Sequence, residues 1–242
     1  MTDFTVKIAE IPFGISAFFE STREFCRDYL TDEIPEIDIT ITPENIELAR
    51  KLSCDNDIRE EREPYFYSDS YLETVALHRR ISDELLFHNV LLFHGSAVAV
   101  DGRCYMFTAE SGTGKTTHSM LWLKNIPGSY ILNGDKPLLL FKDLEVLVCG
   151  SPWCGKENFG RNEILPLAGI CILDRDKTNH IEDISFHEAL PDLIKRSHRP
   201  RRNSDFVRYL RQIDKLKSVG LYRLGCNIDD DAAFVAYQRM VK

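Results

Sequence analysis

No stretch of this sequence approaches the ~18 consecutive apolar residues that a membrane-spanning helix needs. The opening MTDFTVKIAE lacks the basic start and apolar core of a secretion signal. No internal repeat and no low-complexity tract stands out. Basic residues are in deficit: 30 Lys and Arg stand against 38 Asp and Glu, a formal net charge of −8. Such a chain is a poor candidate for gripping DNA or an anionic membrane with its whole surface, so neither a nucleic-acid nor a membrane partner is expected, although a local basic groove remains open. Cysteine is present seven times but never as C-x-x-C, and the number is odd. A chain this long has no need of disulfide staples, so reduced thiols and a cytoplasmic location are expected. Zinc is not expected, because the closest pair, Cys149 and Cys154, has no paired His nearby.

What is present suits a folded enzyme-sized unit. Apolar residues make up 43% of the 242 positions, enough for a sizeable core in one large domain, or in one domain with a smaller companion. Phe4, Val6 and Ile8 alternate with polar residues, as do Ile37, Ile39 and Ile41, and both runs predict strands. Residues 21–30 have helical spacing, and Thr42-Pro43 predicts an N-cap opening a helix to about Leu52. The charged segment 55–67, which contains Pro64, reads as a loop. It is the candidate boundary between an N-terminal α/β accessory segment, 1–67, and a catalytic domain, 68–242.

Beyond it a helical pattern runs from Ser68 to Asn89. VLLFHGSAVAV and RCYMFTA then flank Asp101-Gly102, a hairpin signal. Residues 137–149 predict a second hairpin around Lys142-Asp143, with further strands at 129–133, 167–173 and 221–224. Ser185 and Glu188 form a capping box ahead of one helix, and helices at about 203–217 and 229–241 close the sequence. Hairpins interleaved with helices predict an α/β or α+β fold with a mixed sheet, not a uniformly parallel one.

One segment carries chemistry. Residues 109–117 are Ala-Glu-Ser-Gly-Thr-Gly-Lys-Thr-Thr, and Gly112-x-Gly114-Lys115-Thr116 matches the phosphate-loop pattern, with Ala109 where the first glycine usually stands. A predicted strand precedes it and an apolar-periodic segment with Met120, Leu121 and Leu123 follows. Glycines let backbone N–H groups turn inward around an anion, and the following helix adds its positive end. The loop from Glu110 through Ser111, Gly112, Thr113, Gly114, Lys115, Thr116 and Thr117 is the candidate nucleotide-binding segment. Lys115 can reach the β- and γ-phosphates, and the Thr116 hydroxyl can ligate Mg²⁺.

Such a loop alone names no reaction. A magnesium-holding carboxylate should end a nearby strand, and YILN-Gly134-Asp135-Lys136 supplies Asp135, with Lys136 beside it to neutralise phosphate charge. The other reading of Gly134-Asp135 is a simple hairpin turn. His94, in His94-Gly95-Ser96, starts the strand expected to pair with the one feeding the loop. It is a candidate near the phosphates or else a satisfied core histidine. Downstream, GSPWCGKE is the kind of Gly/Pro-rich connection that closes over sites, with Lys156 placed to bind a transferring phosphate and Glu157 to approach metal or acceptor; the other reading is a solvated turn. The basic cluster 195–202 is either a source of positive charge for an anionic substrate or a solvated interhelical loop, the second being the expectation.

In order, HGSAV, a hairpin, ESGTGKTTH, NGDK and GSPWCGKE resemble the catalytic domain of HPr kinase/phosphorylase and its smaller relatives. That group is itself similar in core to ATP-dependent phosphoenolpyruvate carboxykinase. The resemblance covers about residues 85–240. It implies a phosphate loop on a mixed sheet with helices at the C-terminal end, MgATP as the nucleotide, and transfer of a phosphate to a hydroxyl. It also admits a homo-oligomer, since relatives form them. By matching position, Lys115 and Thr116 take the phosphate and metal roles, His94 lies near the phosphates, and Asp135 is the second of an acidic pair. The first of that pair, the family's base toward a serine hydroxyl, is Gly134 in this chain. Proton transfer then falls to Asp135 itself, to Glu157 or to His94. The acceptor is a small metabolite or a serine of a peptide or protein. The rival expectation, which Gly134 favours, is a nucleotide-binding regulatory or accessory protein whose catalysis has decayed.

Overall fold

A computed structural model describes residues 1–59, 62–143, 145–200 and 202–241. The chain forms two compact units, Met1–Glu84 and Leu85–Lys242. The division does not fall at the expected 67/68, and the reason lies in one buried carboxylate. Glu73, fully buried, accepts hydrogen bonds from the Phe18 and Phe19 amides and from the Thr22 hydroxyl, which ties its helix to the first strands.

In the first unit, β1 (Thr2–Ile8), β2 (Ile11–Ala17) and β3 (Ile37–Thr40) form one sheet, with β1 and β2 antiparallel and β2 and β3 parallel. A short α1 (Glu20–Phe25) replaces most of the helix expected at 21–30. α2 (Pro43–Arg59) starts at the expected proline, with Thr42 Oγ1 accepting the Asn45 amide, but runs a further two turns into the segment expected as loop. α3 (Asp69–Leu85) completes the unit.

Among the described residues the second unit is built on nine strands: β4 (Val90–Leu92), β5 (Ser96–Val100), β6 (Arg103–Thr108), β7 (Tyr130–Asn133), β8 (Leu138–Lys142), β9 (Glu145–Cys149), β10 (Ile164–Arg175), β11 (His180–Asp183) and β12 (Gly220–Cys226). Both expected hairpins form, β5–β6 across Asp101-Gly102 and β8–β9 across the turn after Lys142. The long β10 joins two curved halves. Its first residues pair antiparallel with β9, and its later ones run parallel to β6 on one side and β12 on the other. The sheet is therefore mixed, as the interleaved hairpins imply.

Helices cover both faces. α4 (Lys115–Asn125) and α7 (Asp231–Met240) pack around Trp122, Tyr105, Phe107, Ala233 and Ala236, while α5 (Phe186–Arg196) and α6 (Phe206–Lys215) pack through Ala189, Leu193, Tyr209 and Ile213 against Leu139 and Val148. α5 opens on the expected Ser185/Glu188 capping box. Among the described residues no helix is long and apolar enough to cross a membrane.

The consequence for function is positional. β6, β10 and β12 are mutually parallel, so their carboxyl ends lie at one edge, together with the start of α4. Ligands of open α/β sheets bind beyond the carboxyl ends of their strands.

Candidate functional site

The loop between β6 and α4 has the backbone its sequence requires. Gly112 and Gly114 take φ of +75° and +119°, values a side chain would strain, and a Cβ at Gly112 would meet nothing within 4 Å. The loop thus faces open space. α4 begins at Lys115 with Gly114 as its N-cap, and no side-chain oxygen caps it, so the first-turn amides retain their positive end for an external acceptor. Lys115 folds back over the loop, its Nζ 3.4 Å from the Ala109 carbonyl. The Ser119 hydroxyl bridges the Lys115 carbonyl (3.0 Å) and the Ser96 hydroxyl (2.7 Å), pinning α4 to β5. Ser111, Thr116 and Thr117 are exposed along this rim.

A second cluster lies at the end of β7. Asn133, fully buried, accepts the amides of Asp135 (2.9 Å) and Lys136 (2.7 Å) through its side-chain oxygen. Its Nδ2 donates to the Ser151 carbonyl, and Ser151 Oγ donates to the Lys136 carbonyl. This framework aims Asp135 at His94: His94 Nε2 is 3.1 Å from Asp135 Oδ1, and Lys136 Nζ is 3.4 Å from the same carboxylate. Burial alone would raise the Asp135 carboxyl, but the His94 hydrogen bond and the Lys136 charge reverse that and hold it well below the ordinary carboxylate range. For His94 the bond to Asp135 acts upward. Burial and the charges of Lys136 and Lys115 outweigh it and leave the imidazole below its ordinary value. His94 is then neutral at pH 7. Its Nε2 proton is engaged by Asp135, and Nδ1 carries the lone pair. The influence of Lys115 on His94 ties the two clusters into one electrostatic site.

The 150–161 connection docks on this cluster. The Gly134 amide donates to the Phe159 carbonyl (3.0 Å), and the Arg161 amide donates to the Leu132 carbonyl (2.9 Å). Asp135 Cβ (3.3 Å) and a Glu157 carboxylate oxygen (3.6 Å) both flank the point a Cβ on Gly155 would occupy, so Glu157 lies close to Asp135. Lys156 is exposed on the same loop. Gly134 has a steric reason: a Cβ there would sit 2.6 Å from the Cys154 carbonyl oxygen. A second aspartate does not fit while this loop is seated. Gly134→Asp is therefore expected to lower stability by about 1–3 kcal/mol, the cost of overpacking, without raising activity. An unchanged denaturant midpoint would contradict the packing described.

The basic cluster 195–202 divides: Lys195 and Arg196 form the last turn of α5 and Ser197 is buried, while Arg199 and Arg202 are exposed as expected and residue 201 lies outside the described residues. The His94 amide donates to the Arg196 carbonyl (2.7 Å), and Phe93 bridges to Ser197. Lys195 and Arg196 both pair with Glu110 of the glycine loop, and the Lys195 hydrogen bond above all holds the Glu110 carboxyl below its ordinary value. Arg196 is 9% exposed, and its Nε and Nη2 lack hydrogen-bond partners. The run of basic residues at 195–202 signalled positive charge, but no local spacing marked Arg196 for burial. Asn133 and Ser151 were equally hidden, since their role is to hold backbone rather than to react.

Thr116 and Asp135 are the residues whose oxygens could hold a metal. Among the described residues no group of three or more His, Cys, Asp or Glu side chains could hold a metal on its own. Mg²⁺ bound through one hydroxyl, one carboxylate and phosphate oxygens matches Thr116 and Asp135.

No protein-family model matches this chain, and no curated protein matches it. Among solved structures it is similar to the HPr(Ser) kinase/phosphatase from Coxiella burnetii, with a TM-score of 0.36 and 8% identity over 61% of this chain and 95% of that one.

Proposed function

We propose that this protein is a MgATP-dependent kinase that transfers the γ-phosphate to a hydroxyl of a small metabolite or of a serine in a peptide or protein. The observation that carries this reading is the approach of neutral His94, hydrogen-bonded to ionised Asp135, to a glycine loop that ends in Lys115. Phosphoryl transfer asks for positioning and charge neutralisation more than covalent help. The loop amides cradle the β-phosphate, Lys115 spans β and γ, and Arg196 meets charge on the transferring group or on an anionic acceptor. Mg²⁺, held by Thr116 and Asp135, would draw charge from the phosphate oxygens. The acceptor hydroxyl gives its proton to His94 Nδ1 as its oxygen bonds to the γ-phosphorus and the bond to the β-bridging oxygen breaks, releasing ADP. Asp135 keeps His94 in the tautomer this requires. His94 thus takes the proton that the missing acidic partner at Gly134 cannot.

The test is γ-labelled ATP presented with and without pools of hydroxyl-bearing metabolites and serine peptides. Acceptor-dependent label transfer supports the kinase. Tight binding with no transfer to any pool supports the second reading, a nucleotide-binding accessory protein, which the close approach of the Cys154 carbonyl to Gly134 favours.

A further inference from the structure

α6 carries apolar residues on two sides, and the core uses one. Tyr209, Gln212 and Ile213 are buried, and Gln212 Nε2 donates to the Leu86 carbonyl (2.9 Å), fixing the helix to the chain before β4. Away from the core, Phe206, Val207 and Leu210 are 40%, 59% and 41% exposed. Leu210 follows Val207 by three residues and Phe206 by four, so the three side chains meet on one stripe facing solvent. Polar residues ordinarily occupy that side of a helix. Beside the stripe the Arg208 guanidinium lies over the exposed Phe87 ring, 5.2 Å from its centroid. Single surface hydrophobics need no explanation, but a contiguous apolar patch with a polar rim marks an interaction surface.

The rim is positive, in a chain whose net charge is −8. Arg199, Arg202, Arg208, Arg211, Lys215 and Lys217 are exposed on α6 and its flanks, against exposed Asp214 and half-buried Asp205. Asp214 is paired with Lys217, and among the described residues Arg202 and Arg211 form no ion pair. Charge complementarity therefore selects an acidic partner that also carries bulky apolar side chains. A lipid leaflet fits less well. Asp214 follows Leu210 by four residues and Val207 by seven, so the stripe ends in a carboxylate that insertion would dehydrate.

The helix is tied to the candidate site. The Tyr209 and Ser197 hydroxyls hydrogen-bond at 2.7 Å, and Ser197 follows Arg196, whose carbonyl accepts the His94 amide. The path from the stripe to His94 is therefore on the order of 20 Å, which roughly six residues of extended peptide can span. We infer that this face of α6 docks a polypeptide acceptor. An acidic segment seats its apolar side chains on Phe206, Val207 and Leu210 with its carboxylates at Arg211 and Arg202, and presents a serine about six to ten residues away to His94. The inference rests on the reading of the chain as a kinase and narrows the acceptor class to an acidic peptide or protein segment.

The experiment reads the fluorescence anisotropy of a fluorescein-labelled serine peptide, in which Glu and Asp surround Phe and Leu, titrated with the full chain free of nucleotide. Two counterpart peptides carry Lys for every acid or Ala for every Phe and Leu. The protein variants are Leu210→Asp and Arg211→Glu, both at exposed positions, so thermal melting should be unchanged. Wild type is expected to bind the acidic peptide saturably and more weakly as salt is added. Each counterpart and each variant should lose at least about tenfold in affinity. No binding of the acidic peptide, equal binding of the Lys counterpart, or variants that bind like wild type would overturn the docking face. Wild type that sediments with phosphatidylserine vesicles but binds no peptide would overturn it in favour of a membrane. Self-association lost in Leu210→Asp, again with no peptide bound, would overturn it in favour of a second copy. γ-Labelled ATP separates this inference from the kinase reading. Peptide bound but never labelled would keep the docking face and remove the kinase. Label transferred equally to the acidic and Lys peptides, by wild type and Arg211→Glu alike, would keep the kinase and remove the docking face.

Discussion

Asp135→Asn is expected to lower turnover for phosphate transfer by about 10²–10⁴, the range for disabling general acid–base chemistry, with the far-ultraviolet circular dichroism unchanged. Asparagine keeps the shape and an oxygen facing His94, so the loss isolates the charge. That charge has two tasks in the proposed chemistry, metal ligation and orientation of the His94 ring. The pH dependence separates them. Turnover requires neutral His94, whose pKa lies below its ordinary value. Activity should therefore fall as pH drops through an acid limb placed below that value. Asp135 acts on His94 in the upward direction, so removing its charge should move the limb to still lower pH. A turnover loss under threefold would place the chemistry elsewhere, and an unmoved acid limb would exclude His94 as the proton acceptor.

Lys115→Ala is the second large effect. With its Nζ folded over the Ala109 carbonyl, Lys115 is the ammonium the glycine loop offers to a bound phosphate chain. Its removal should cost at least about 10²–10³ in turnover, the scale of a lost electrostatic clamp. Affinity for ATP should fall about tenfold or more, the scale of a charge-assisted hydrogen bond. Little structural damage is expected, because α4 is anchored by Ser119 to Ser96 and by buried Trp122. Steady-state kinetics beside thermal melting would test this: an unchanged melt with retained turnover would refute the role of Lys115.

Local signals carried much of the second unit. Asp101-Gly102 marks a two-residue turn whose residues both need positive φ, and Ser185/Glu188 states its own capping geometry. The glycine loop is legible for the same reason: its spacing encodes backbone shape. Other features depend on contacts far along the chain. β2 is not announced because the turn before it is made by Ala9 and Glu10 at φ of 49° and 70°, residues that give no turn signal. α3 joins the first unit through Glu73, which looks like one more surface acid in sequence. Met120, expected on the apolar stripe of α4, is exposed, while His118 and Ser119 are buried in its place. In the site, Asp135 and His94 were recognisable as candidates from strand ends. Their hydrogen bond and the burial of Arg196 arise only when β7, β4 and the end of α5 converge.

The most direct measurement is a calorimetric titration of the wild-type protein with ATP in the presence of magnesium. The glycine loop and Lys115 lead to saturable binding with a dissociation constant below the millimolar range. The absence of any heat of association up to millimolar nucleotide would contradict the phosphate site, and the kinase with it.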